Sequence, residues 1–166
     1  MRLVWTKGRS PLSWVIRKIT GDDCSHFAFV FESHGRSGLM FESNLLGTHP
    51  AFLKTSLKAH TIIHDIVVPM SQVEEDKVWD LVVEKYDGRP YDFCGALFLG
   101  VHKFMQRFFG KKLPEKNRWA RGGSFFCDEI YDVFNHVDGF PKIDVTNGMD
   151  TPHDVWEKLK NWEYAF

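Results

Sequence analysis

The sequence predicts an α+β fold built around a central antiparallel sheet. Strand-like patterns gather in the first 68 residues. Two of them, Ser25 to Glu32 and Leu39 to Ser43, flank a hairpin-type turn, Ser33-His34-Gly35-Arg36-Ser37-Gly38. From Ser71 onward the apolar spacing is mainly helical. Runs of strands followed by runs of helices are the pattern of α+β architecture. At 166 residues with 43% hydrophobic content, the chain is expected to form one domain over 1–166 with a real core.

The elements follow in order. Residues 2–6 predict a short strand. Ser10 before Pro11 is an N-cap followed by proline at the first helical position, and Leu12, Val15, Ile16 and Ile19 then keep helical spacing until Thr20-Gly21-Asp22-Asp23 breaks it. Ser25 to Glu32 alternates: His26, Ala28 and Val30 share one face, Phe27, Phe29 and Phe31 the other. After the partner strand 39–43, Gly47 and Pro50 predict a loop with a short strand near 52–57. Thr61 to Val68 is a strand that Pro69 ends. Ser71 and Glu74 have capping-box spacing, opening a helix with Val78, Leu81, Val82 and Tyr86 on its apolar face and Gly88 at its end. A second helix, from Tyr91 to Phe109, carries a stripe wide enough to pack on two sides; core packing is expected ahead of membrane contact. Lys111 to Gly123 is a basic loop. Ser124 then predicts an N-cap for a helix reaching His136 with Cys127 in its first turn, a short strand is expected near 141–145, and Thr151-Pro152 opens a last helix carrying Val155, Trp156, Leu159 and Trp162.

The charge balance excludes some classes. Twenty-one basic against twenty-two acidic residues give a net charge of −1. Nucleic-acid binding needs a basic stripe, so no nucleic-acid partner is expected. The 15% aromatic content, with fifteen Phe and six Trp, fits a Phe-built core first and an aromatic-lined cleft second. Three widely spaced cysteines, Cys24, Cys94 and Cys127, without a CxxC pair predict neither a disulfide framework nor structural zinc, and no cofactor is expected. No signal peptide is read at the N-terminus. The longest apolar stretch, Cys94 to Val101, is too short to span a bilayer, so the expected setting is cytoplasmic, with no transmembrane segment. Oligomeric state is not legible.

Cys127 carries the chemical signal. In a first helical turn, unpaired N–H groups and the positive end of the helix dipole favour the thiolate, which is the nucleophile. Such a nucleophile needs a base, an orienting group and oxyanion donors. His26, at the head of a strand, is the candidate base. Glu42, on the next strand, can accept from one ring nitrogen while the other faces Cys127; a one-residue register slip offers Ser43 instead. Taken singly, each has a blander reading: a partly exposed polar histidine, a small buried cysteine, a solvated strand glutamate. Cys24 with His26 is a thin metal-ligand set, and no metal is expected.

Four motifs carry a resemblance. Thr20-Gly21-Asp22-Asp23-Cys24-Ser25-His26-Phe27-Ala28-Phe29-Val30 resembles the "TG…SHxGIV" segment of the YiiX-like enzymes, the circularly permuted branch of the NlpC-type cysteine peptidase superfamily. Gly88-Arg89-Pro90-Tyr91-Asp92 resembles "GxPYD", Phe126-Cys127-Asp128-Glu129-Ile130 the "CSEL" nucleophile motif, and Thr151-Pro152-His153-Asp154-Val155 "SPxDL". The motifs are short, run in the family's order, and are scattered over about residues 14–159. The resemblance implies a papain-like fold in permuted order, with Cys127 as nucleophile, His26 as base, Glu42 as orienter and Tyr91 as an oxyanion or substrate contact, beside the Cys127 N–H. It implies a cysteine hydrolase acting on an amide or peptide bond, such as a peptidoglycan stem peptide, in a bacterial or phage-encoded protein. The superfamily also includes relatives resembling lecithin:retinol acyltransferase, so a lipid acyl ester or amide is the alternative substrate. Asp128 stands where the family has Ser, and a carboxylate beside the thiol opposes thiolate formation. Ala28 replaces a usual Gly. The rival from another class is a binding module that keeps the fold without turnover.

Overall fold

The computed structural model describes residues 1–120, 123–127, 129–137, 140–145 and 147–161. The architecture is α+β. Its strands are β1 (Arg2–Gly8), β2 (His26–Val30), β3 (Leu39–Asn44), β4 (Gly47–Phe52) and β5 (His60–Val67). Its helices are α1 (Pro11–Thr20), α2 (Leu53–Ser56), α3 (Gln72–Tyr86), α4 (Phe93–Phe109) and α5 (Pro152–Leu159), with a 3₁₀ helix over Glu129–His136. The sheet order is β4-β3-β2-β1-β5, and every pairing is antiparallel.

The alternation of β2 separates two layers. Phe27 and Phe29 join Leu3, Trp5 and Phe41 in the main core, against α3, the 3₁₀ helix and α5. Phe29 meets Phe134 edge-on at 5.0 Å, and Trp5 meets Trp156 at 5.3 Å. Each fully buried aromatic contributes roughly 1.5–3 kcal/mol of transfer free energy, so this layer dominates stability. The other face holds a smaller cluster, Val4, Ala28, Val30 and Met40, with Ala51, Leu53 and Ile62 packed on it.

Local signals place several boundaries. Ser10 Oγ accepts from the Ser13 N–H at 3.1 Å, and Gly21, with φ of 89°, ends α1 in the left-handed conformation a side chain rarely adopts. The capping box of Ser71 and Glu74 forms in full. Thr151 opens α5 with a second box, to Asp154.

Four expectations are corrected. The strand after β3 lies at Gly47–Phe52, not near 52–57, where the four-residue α2 stands instead. β4 is an edge strand, which is why Pro50 is tolerated in it: its missing N–H costs no ladder bond. Residues 141–145 are irregular; Ile143 and Val145 are buried without pairing. The segment after Cys127 is 3₁₀ rather than α, and starts at Glu129. Finally, α4 packs against α1 on one side and, through Phe98 and Leu99, against Leu113 and Met149 on another, but much of its apolar stripe is left out of the core. Gly95, Phe98 and Leu99 are its buried residues, whereas Phe93, Leu97, Val101, Phe104 and Phe108 are 39–61% exposed. Trp162, Asp128 and Gly122 lie outside the described residues.

Candidate active site

The site is built at one end of β2 and β3. His26 begins β2, opposite Thr6 of β1, and Ala28 pairs with Glu42. His26 and Glu42 therefore share a face on a diagonal, within reach of long side chains. His26 Nε2 lies 2.7 Å from Glu42 Oε2. The second carboxylate oxygen accepts from Asn44 Nδ2 at 3.1 Å. Both partners are buried, at 8% and 4% exposure. Burial by itself would raise the Glu42 pKa, yet the hydrogen bond from His26 and the positive potential of His26, His60 and His49 hold it below the usual carboxylate range. Glu42 is thus the anionic acceptor and Nε2 the donor. That assigns the lone pair to Nδ1 in neutral imidazole.

Ser43 points the other way. Its Oγ donates to the Phe125 carbonyl at 2.9 Å and accepts from Thr48 Oγ1 at 3.1 Å. The register therefore makes Glu42, not Ser43, the partner of the imidazole. Ser43 instead ties β3 to the segment that carries Cys127. Asn44 and His60 were not foreseen. Asn44 follows Glu42 by one period of two, and His60 stacks on His26 at 5.6 Å from the far side of β1. The first had a signal in the alternation; the second depends on β5 lying next to β1.

A short cross-chain lock holds the Cys127 segment. Tyr91 and Phe125 form a parallel bridge, and the Phe125 N–H donates to the Pro90 carbonyl at 3.1 Å. Asp92 is the N-cap of α4, accepting from the Gly95 N–H at 2.9 Å. Gly95 is required there: a Cβ would lie 2.6 Å from both Phe126 and Asp92 Oδ2. The Phe126 N–H donates to Glu129 Oε2 at 2.8 Å. Burial pushes the Glu129 carboxyl up to about 7 against that hydrogen bond, helped by the negative charges of Asp92 and Asp132.

Cys127 sits in a turn two residues before the 3₁₀ helix, not in the first turn of an α-helix, and is 6% exposed. It belongs to the main aromatic core, on the Phe27 side. Its neighbour Asp128 lies outside the described residues. Cys127 also borders a cavity of about 600 Å³ between α1, α4 and the end of the sheet. Tyr91, Phe126, Ser25 and Leu45 line it too. Among the described residues, no charged side chain does. The structure thus brings together His26 with Glu42, and Cys127 with Tyr91. The two pairs lie on opposite faces near the start of β2, His26 and Glu42 on the Ala28 face and Cys127 in the Phe27 core, while Ser25, beside His26 in sequence, reaches the cavity of Cys127.

Cys24 groups with Asp23 and His153, not with His26; their ligand atoms lie within 4.8 Å of one another. Asp23 is already paired with His64 at 2.8 Å and His153 at 3.2 Å. Burial and the carboxylates of Asp23 and Asp22 push the Cys24 thiol well up, away from the thiolate that a soft metal requires. Among the described residues, no helix is long and apolar enough to cross a membrane.

Comparison with protein-family models and with curated proteins gives no match.

Proposed function

We propose that this chain is a cysteine acyl hydrolase or acyltransferase of the permuted papain-like kind its motifs resemble, acting on a long apolar acyl ester or amide. The observation that carries the reading is the cavity. A thiol and a tyrosine stand in the wall of about 600 Å³ of space lined mainly by apolar residues, a size within the ~300–1,000 Å³ range of small-molecule sites. An acyl chain fits that lining. A stem peptide brings charges that would find no partner there, which ranks the peptide reading second.

The Cys127 sulfur attacks the acyl carbonyl carbon as thiolate, its proton passing to His26 Nδ1. Glu42 holds the resulting imidazolium through Nε2. The oxyanion is held by the Cys127 N–H and the Tyr91 hydroxyl. Collapse breaks the bond to the alcohol or amine, which leaves with the His26 proton. A thioester remains. Water, deprotonated by Nδ1, attacks it and releases the carboxylic acid and the thiol; a second alcohol or amine in place of water gives transfer. The reading requires the His26 ring to reach Cys127 round the end of β2. The placement of the His26–Glu42 pair on the other side of the sheet favours a second reading, an acyl-binding module without turnover.

The test uses p-nitrophenyl dodecanoate and acetate with wild type and Cys127→Ala. Faster release from the long ester, and a dodecanoyl adduct on Cys127 by intact mass, are expected. Saturable ligand binding with no adduct and no release would leave the binding module as the correct reading.

A further inference from the structure

The mouth of the cavity opens through an apolar surface that the described residues leave uncovered. Leu97, Val101 and Phe104 border the cavity and are also exposed. Phe108 of α4 (59% exposed) continues from this rim, its ring 4.6 Å from that of Phe104, and Trp14 (56%) and Leu46 (90%), also exposed, adjoin in sequence the cavity-lining Val15 of α1 and Leu45 of the β3–β4 turn. On α4 the spacing 93, 97, 101, 104, 108 is a single helical stripe. Scattered exposed apolar residues are ordinary, but a contiguous patch at the rim of a pocket marks an interaction surface.

Charge decides the partner. α1 and α4 carry Arg17, Lys18, Lys103 and Arg107 and not one Asp or Glu. Lys103 is committed to Asp154 at 2.7 Å. Lys18 and Arg107 lie beside the aromatic rings: Lys18 Nζ is 5.9 Å from the Trp14 ring centre, and Arg107 Cζ is 5.9 Å from that of Phe108. Arg107 Nη1 also donates to the Lys18 carbonyl at 3.1 Å, tying the ends of the two helices together. Exposed Lys111 and Lys112 follow directly after α4. Aromatic and aliphatic groups flanked by cations, on helices free of acids, form the arrangement that seats in the boundary layer of an anionic bilayer.

We propose that α1, α4 and the β3–β4 turn dock on an anionic membrane surface, setting the cavity mouth against the lipid. The surface lies parallel to the membrane without crossing it. The proposal goes beyond the acyl chemistry and does not depend on it, so Cys127→Ala protein serves in its test.

The experiment is co-sedimentation with phosphatidylglycerol–phosphatidylcholine vesicles and with pure phosphatidylcholine vesicles, at low and high salt. Cys127→Ala protein is compared with the same protein carrying Trp14→Asp and Phe108→Asp, and with Lys111→Glu and Lys112→Glu. Binding to the anionic vesicles is expected, weakened by salt and by the lysine changes, and reduced about tenfold or more by the aspartates. Circular dichroism of the aspartate variant confirms that it folds. Two outcomes overturn the proposal: no binding to either vesicle by a folded monomer, or a dimer in analytical ultracentrifugation that the aspartates dissociate while vesicles are ignored. The second would make the patch a contact between copies of the chain.

Discussion

His26 donates from Nε2 to Glu42 Oε2 across 2.7 Å, in a place where both side chains are nearly withdrawn from water. A buried ionic hydrogen bond of this kind contributes modestly when complete and costs heavily when one partner is removed.

Glu42→Ala should therefore destabilise the protein by about 1–3 kcal/mol near neutral pH, as the ring is left without its acceptor. The folded-state pKa of Glu42 is held below its ordinary 4.5. Its contribution is present above the unfolded value and disappears as pH falls through the folded one. Urea melts of wild type and variant should converge in acid and stay apart at neutrality.

Glu129 titrates with the opposite sign. Its carboxyl is raised from 4.5 to about 7, so its stabilising effect is complete below the unfolded value and is lost as pH rises through about 7. Gln in its place keeps an acceptor for the Phe126 N–H and removes the charge. Glu129→Gln should gain on the order of 3 kcal/mol over wild type by about pH 8 and little near pH 4, as read by thermal melts across that range.

Gly95 is fixed by approach rather than by φ. Gly95→Ala places a methyl against Phe126 and the Asp92 carboxylate. Overpacking of this kind costs roughly 1–3 kcal/mol, and here it also loosens the Asp92 cap and the strap of Cys127. A lower melting temperature with faster alkylation of Cys127 is expected.

Gly100 offers the contrasting case, since it lines the cavity and a Cβ there meets nothing within 4 Å. Gly100→Leu should raise stability by about 0.5–1 kcal/mol through helix propensity, while its side chain occupies the cavity proposed for the acyl chain. Turnover of the dodecanoyl ester should fall more than turnover of the acetyl ester. Equal loss on both would disconnect the cavity from the substrate.

The legible parts of this chain were those whose causes are local. Ser10, Ser71 with Glu74, and Thr151 announce helix starts because a cap acts within three residues of itself. The pairing of His26 with Glu42 followed from a short hairpin and a period of two. β4 was misplaced because Gly47 and Pro50 are loop signals anywhere except on an edge, and edge position is a property of the whole sheet. The stripe of α4 was visible, but periodicity tells which residues share a face and not what covers them. Ser124 and the apolar spacing after it suggested an α-helix; the segment instead tightens to 3₁₀, and Cys127 is left in the turn ahead of it. The period of two put His26 on the Ala28 side of β2, but no pattern told that Cys127 would lie on the Phe27 side, since that depends on how residues 90–92 strap Phe125.

The central claim is that Cys127 and His26 act together round the end of β2. Its most direct test is the rate of Cys127 alkylation by iodoacetamide against pH, followed by mass spectrometry beside Cys24 and Cys94, in wild type and in His26→Ala. The account predicts a Cys127 that reacts well below the ~8.5 of a free thiol and loses that reactivity in the variant. A Cys127 that titrates like a free thiol, unchanged by the loss of His26, would contradict it.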